Sequence, residues 1–157
     1  MLFKLFSPLG KTYHQYAPFI LRLVIGFGFM AHGWAKLSRG TAGFEKLLIQ
    51  TGAPFAHISS YIVPFTELLG GLAIFIGVCA SITAIPLIIT MITATLTIQV
   101  HYGFSSVKTI GLTPNGPLFG PPGYEINLLY IAGLISLIIT GAGMFSIDAL
   151  IAKRKAL

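Results

Sequence analysis

Six side chains able to donate, accept or carry a proton stand inside or at the rim of strongly apolar stretches: Arg22, His32, Lys36, Glu67, His101 and Glu125. Carboxylates can take up and release protons, and imidazoles do so near neutral pH. Lysine and arginine can donate to a carbonyl or balance a carboxylate. Surrounded by hydrocarbon, each ionised group costs at least a few kcal/mol, so such groups face a bundle interior and pair. Glu67 carries the most information, because a carboxylate in mid-span rarely persists without a partner or a task. Plainer readings stand beside the others. Lys36 and His101 can snorkel to an interface, and His32 can donate to a carbonyl as an ordinary core histidine. His14 and His57 lie in connecting segments and carry no assignment. No spacing among these residues marks a metal site.

The composition says what surrounds them. Of 157 residues, 55% are hydrophobic and 9% charged, where soluble domains carry about 25% charge. Mean hydropathy is +0.86. So sparse a set of charges cannot coat a water-soluble globule, and disorder needs the opposite balance. A small polytopic membrane protein remains, with a single domain over residues 1–157. The net charge of +6 is scattered along the chain. No basic stripe interleaved with aromatics is present, which argues against nucleic acid as a partner. The excess acts instead as a topology signal and an attraction to anionic lipid. Cys79 is the single cysteine, which excludes an internal disulfide, an electron-carrying dithiol and a thiolate cluster. In its apolar run it reads as a small packing residue.

Four stretches are long enough to span, since a crossing needs about 20 mostly apolar residues. They cover about 17–37, 59–80, 82–100 and 126–145, and predict an all-α, four-helix membrane bundle. Residues 1–16 do not read as a cleavable signal, because Arg22 interrupts the apolar stretch that follows and no small-residue cleavage site succeeds it. Leu2, Phe3, Leu5, Phe6 and Leu9, with Lys4 and Lys11, predict a segment lying on the bilayer surface. Phe44, Leu47, Leu48 and Thr51 fall at helical spacing and predict a short interfacial helix stopped by Gly52 and Pro54. A tight turn around Ser81 should join spans two and three. The connection 103–124 is rich in Gly and Pro, and with Phe104, Leu118, Phe119 and Tyr124 it predicts an ordered cap. Lys4, Lys11, Lys153, Arg154 and Lys155 flank one side of the bundle and Arg39, Lys46 and Lys108 the other, which favours both termini in the cytoplasm of a bacterial inner membrane.

Helical periodicity then groups the polar residues. Arg22, Gly26, Gly33 and Lys36 share a face of span one, with His32 on its flank. Glu67, Gly71, Ile74 and Val78 share one in span two. Pro86, Thr90, Thr93, Thr97 and His101 form a stripe on span three, and Glu125, Ala132, Ser136 and Gly143 a face of span four. The glycines and threonines also have a packing explanation, through close helix contact and hydroxyl bonds to carbonyls one turn back. At about 1.5 Å per residue, His32 lies roughly 22 Å above the inner end of span one, and Glu67 roughly 12 Å below the outer edge. His32, Lys36, Glu67, His101 and Glu125 therefore converge in the outer half, near charge balance as a low-dielectric site requires. Arg22 lies lower, and is expected to meet an acidic side chain or backbone carbonyls on another helix.

At these residues the sequence resembles the DoxX-like family of four-span bacterial membrane proteins. The matching pieces are Arg22-Leu-Val-Ile-Gly26, His32-Gly33 and Lys36-Leu37, then Gly52-Ala-Pro54 and Glu67-Leu-Leu-Gly70-Gly71-Leu72 with Gly77. His101 and Glu125 follow in order, and the segment from Thr140 to Asp148 is similar to the family's closing Gly-x-Gly-x-x-Ser-x-Asp signature. The resemblance covers about residues 17–150 and implies redox work at the quinone pool, because some relatives are named as membrane subunits of quinone-linked oxidoreductases. It fixes no reaction. Nothing in the sequence marks a haem, flavin or iron–sulfur site or any covalently bound cofactor. His32 and His101 are of a type that ligates haem, without further support. Asp148 is expected to pair with Lys153 or Arg154 in a structural role.

Three functions follow. The first is a quinone-interacting oxidoreductase subunit working with a partner redox enzyme, in which Glu67, His32 and His101 do the proton chemistry and Lys36, Glu125 and Arg22 bind the substrate. Phe27, Phe29 and Trp34 would supply apolar wall. The second is a small-molecule transporter or binder using the same pocket, with 103–124 as its lid. The third is a non-catalytic membrane scaffold for a partner enzyme. A homo-oligomer is compatible with all three.

Overall fold

Left-handed residues, more than hydropathy, set the lengths of the helices. In the computed structural model, which describes residues 15–155, the first long helix, α1, runs Tyr16–Ser38 and is followed by the short α2, Thr41–Gln50. The second long helix, α3, runs Ala56–Ile76 and ends where Gly77 adopts φ +73°. Gly77 N donates to Ala73 O and Ile74 O, and Val78 N to Ala73 O, so the last carbonyls find donors as the chain turns. The third, α4, runs Ala80–Thr97. The turn between them is therefore Gly77–Cys79, not a turn around Ser81; Ser81 already lies in α4. Cys79 sits at the turn with φ +46° and is exposed, which corrects its reading as a buried packing residue. The apolar run of the last span continues to Phe145, but α5 covers only Glu125–Thr140, because Gly141 takes φ +74°. Its 16 residues rise about 24 Å. A final helix, α6, spans Ile147–Lys155. The predicted surface segment before Gln15 lies outside the described residues.

The architecture is all-α and membrane-embedded. Helices α1, α3 and α4 are long and apolar enough to cross a bilayer, and α5 is a shorter apolar helix beside them. Their outer faces are bare hydrocarbon: Val24 and Phe27 on α1, Ile62 and Leu69 on α3, Ile85 and Ile89 on α4 and Leu129 on α5 are all exposed. In water such a surface would drive association; in lipid it is the expected exterior. Within the bundle Ile25, Phe29, Ile74, Ala84, Leu87, Leu134 and Leu137 make the core.

Helix α1 packs most extensively on α3, and α4 on α5. The first contact depends on small residues. A Cβ on Gly26 would stand 2.7 Å from Gly71 O, and one on Gly33 would stand 2.6 Å from Pro64 O. The two backbones therefore meet directly, as small-residue interfaces permit where no hydrophobic force drives helices together. The predicted faces of spans one and two are buried as expected, with Arg22, Gly26, Gly33, Glu67, Gly71 and Ile74 all inside. That of span four is corrected. Asn127, Gly133, Leu134 and Leu137 face inward, while Ala132 is exposed and Ser136 half-buried.

Two polar knots hold the ends. At the end carrying α6, Arg22 is fully buried. Its Nη1 donates to Phe75 O at 3.1 Å, and its Nη2 to Met144 O at 2.8 Å and Phe145 O at 3.2 Å. Asp148 does not take Lys153 or Arg154 as its hydrogen-bond partner. Its carboxylate accepts from Cys79 N at 2.8 Å and Ala80 N at 3.1 Å, which caps the exposed N–H groups of α4 from a distant segment. At the opposite end the 103–124 connection is ordered. Gly123 N donates to Ser105 O, Tyr124 N to Gly103 O and Glu125 N to Phe104 O. A β-hairpin, β1 Thr109–Thr113 and β2 Gly116–Phe119, closes over Pro114-Asn115 with Gly116 at φ +119°.

Candidate functional site

Between the α1/α3 pair and the α4/α5 pair, toward the end carrying α2, lies a cavity of about 880 Å³. Its position follows from the helix lengths and pairings. The two pairs are drawn together at the Gly77–Cys79 turn by the Asp148 cap, and the cavity lies at the other end, with α2 beside it.

At its wall Lys36 Nζ donates to both carboxylate oxygens of Glu67. Glu67 is 1% exposed while the lysine side chain keeps 26%, so the acid is buried and the base leads out toward the mouth. Phe44 of α2 closes over the ammonium, 5.0 Å from ring centroid to Nζ. Helix α2 is held there by Glu45 Oε1 and His57 Nδ1, 2.9 Å apart across the α2–α3 junction.

The remaining wall is mostly apolar with a few directed polar groups. His32 lines the cavity, with its ring 6.4 Å from Tyr130 and edge-on to it. Tyr130 also stands edge-on to Phe29 at 5.1 Å. The stripe on α4 is present as expected: Pro86, Thr90, Thr93 and Thr97 all line the cavity. Thr90 donates to Pro86 O at 3.0 Å and Thr97 to Thr93 O at 2.8 Å, which commits the protons and leaves oxygen lone pairs for a donor. Asn127 Nδ2 donates to Thr95 Oγ1 at 2.9 Å. Gln99, at the rim, has a buried Oε1 with no hydrogen-bond partner among the described residues.

Of the sequence-derived set, the structure brings His32, Lys36 and Glu67 to one cavity. The others stand apart from the cavity lining. His101 is exposed on a 3-10 turn, Gln99–Tyr102. Glu125 begins α5, and its Oε2 accepts from Ser106 N at 2.9 Å, holding the loop. Arg22 lies in the knot at the other end, its two Nη atoms bonded to carbonyls as expected of it and its buried Nε without a partner among the described residues. His32 lines the cavity and His101 does not. The connection 103–124 contributes only Pro122 and Gly123 to the lining, so its hairpin is not a lid over the site. Asn127, Tyr130 and Gln99 went unremarked in the sequence. Asn127 was the legible one, as an amide within an apolar run at i−3 from Tyr130.

Fold and site define a class: a small helical membrane protein enclosing an amphiphilic cavity with a buried ion pair. Residues 17–100, which carry α1 to α4, match the DoxX family model, and the chain belongs to the DoxX family. It is 30% identical over 138 residues to "Inner membrane protein YqjF" of Escherichia coli (strain K12), covering 86% of this chain and 92% of that one. It is 25% identical over 136 residues to "Putative oxidoreductase CatD" of Bacillus subtilis (strain 168), covering 87% of each. It is 27% identical over 145 residues to "Uncharacterized membrane protein Rv3486" of Mycobacterium tuberculosis (strain ATCC 25618 / H37Rv), covering 85% and 80%. No solved structure matches the chain.

Proposed function

We propose that this protein is a redox-associated subunit of the bacterial inner membrane whose cavity binds the head group of a quinone or quinol. The observation that carries the reading is the buried Lys36–Glu67 pair in a mostly apolar cavity of about 880 Å³. A quinone head needs a donor at a carbonyl, a proton acceptor and an apolar slot. Lys36 supplies the first, Glu67 with His32 the second, and Phe29, Met91 and Tyr130 line the third. The unpartnered Gln99 Oε1 and the threonine oxygens accept from a quinol hydroxyl. Reduction of a quinone takes two electrons and two protons. The electrons come from a partner redox enzyme, and this chain holds the head group and moves protons through Glu67. The name of the Bacillus subtilis relative lends the redox assignment further support. The basic cluster Lys153, Arg154 and Lys155 supports a cytoplasmic α6 end, which would set the cavity in the outer half of the bilayer.

Titration calorimetry on the purified protein in lipid nanodiscs, with a tail-less benzoquinone, tests the reading. Wild type should bind saturably, and Lys36→Met, which removes the donor to a quinone carbonyl, should bind about tenfold more weakly, the value of one hydrogen bond from a charged group. Wild-type protein that binds no quinone would overturn it.

A further inference from the structure

The cavity touches two seams between the helix pairs, and they differ. At the α1–α5 seam Tyr130 stands between the cavity and a smaller apolar groove of about 390 Å³, and Ile126 lines both. The Tyr130 ring packs on Phe29, and its hydroxyl lies against Gly28, which has no side chain to displace it. At the α3–α4 seam no aromatic side chain of either helix lines the cavity. Ile62 of α3 and Ile89 of α4 both line the cavity and are 58% and 59% exposed. A side chain that belongs to both a cavity wall and the lipid-facing exterior marks an opening between the two. Pro86, on the same wall, is exposed as well.

We infer that the α3–α4 seam is a lateral portal, and that the ligand is a bilayer-resident quinone whose polyprenyl tail leaves the cavity between Ile62 and Ile89 and stays in the lipid. This rests on the quinone reading of the cavity and adds to it the ligand's class and its route. A water-soluble ligand would instead enter past α2. The portal explains why a cavity with a buried ion pair is mostly apolar in its lining: the tail needs no polar group, and the head needs only those at the far wall. It also assigns Tyr130 as the stopper of the opposite seam, a positioning residue for the head group.

The test uses full-length protein in nanodiscs and a matched pair of quinones, one tail-less and one with a polyprenyl tail. The double variant Ile62→Trp/Ile89→Trp narrows the portal with residues a lipid-facing surface tolerates. Val24→Trp/Leu129→Trp does the same at the α1–α5 seam and controls for partition of the tail into the bilayer. The portal variant should lose affinity for the tailed quinone by about tenfold or more, the loss of a few tail methylene contacts. Its affinity for the tail-less quinone should fall less than that for the tailed one, so that the ratio of the two affinities reads the portal. The control variant should bind both as wild type does. Wild type binding both quinones with the portal variant indifferent to the tail overturns the portal alone. Loss at the control seam instead overturns it in favour of the other route. Failure of wild type to bind the tail-less quinone overturns the quinone reading, and the portal falls with it.

Discussion

Glu67 was legible because the physics of its position leaves few options. A carboxylate within an apolar span must find a cation or hold its proton, and Lys36 and His32 of span one were its candidate neighbours in the outer half. The structure joins it to Lys36. Tyr130 and Gln99 were not legible, since an amide or a phenol near a helix end is equally at home at a membrane interface. The pair makes a sharp prediction at this scale. Lys36→Met leaves a buried acid without its partner and should destabilise the protein by about 3 kcal/mol, as removal of one member of a buried pair does. Glu67→Gln leaves a lysine that can extend to the mouth, so its cost should be smaller, about 1 kcal/mol. The double variant should recover most of the Lys36→Met loss. Thermal unfolding in detergent micelles gives all three values, and a double variant no better than Lys36→Met would show that the two groups are not coupled.

At the scale of elements, periodicity foretold which residues face inward on α1 and α3 and, on α4, the Pro86–Thr97 stripe along the cavity, but neither the buried face of Ala80, Ala84, Leu87 and Met91 nor where the helices stop. Span two was drawn past Gly77 and span four past Gly141, because both glycines sit inside apolar runs that a hydropathy window reads straight through. What ends the helices is positive φ at Gly77, at +73°, and at Gly141, at +74°, a backbone property that apolar composition does not report. The hairpin 109–119 was missed for a related reason. The Asn115-Gly116 turn signal lay within a segment judged by its glycines and prolines as irregular, although Ile110, Leu112, Leu118 and Phe119 flank it as short strands would. The glycines themselves separate into two kinds. Gly71→Ala puts a methyl 2.7 Å from Met30 N, a rigid backbone neighbour, and should cost several kcal/mol by forcing α1 and α3 apart. Gly28→Ala meets only a side chain, the hydroxyl and ring of Tyr130, and should cost less, about 1–2 kcal/mol. If the two variants melt together, the close α1–α3 contact is not what holds the bundle.

For the molecule as a whole, the bundle is fastened at one end and opened at the other. Arg22 and Asp148 draw α1, the ends of α3 and α5, the start of α4 and the chain leading into α6 into one knot, and the cavity occupies the far half. Arginine suits that knot because its flat guanidinium reaches three carbonyls on two segments at once, at Phe75, Met144 and Phe145. A lysine ammonium is a compact point charge on a flexible stem and cannot span them. The resemblance pointed to Arg22 as part of the site, and the fold explains why such a residue would persist in any case: without it the four helices have no common anchor. The consequence separates assembly from binding. Arg22→Leu should sharply reduce the yield of monodisperse protein from the membrane, and Arg22→Lys should restore little of it. The fraction that does fold should bind the tail-less quinone with affinity within about twofold of wild type, because knot and cavity share no residue and distant sites add independently. Size-exclusion yield and calorimetry on the recovered peak read the two effects apart. A normal yield with lost affinity would place Arg22 in the binding site and dissolve the division between a fastened end and an open one.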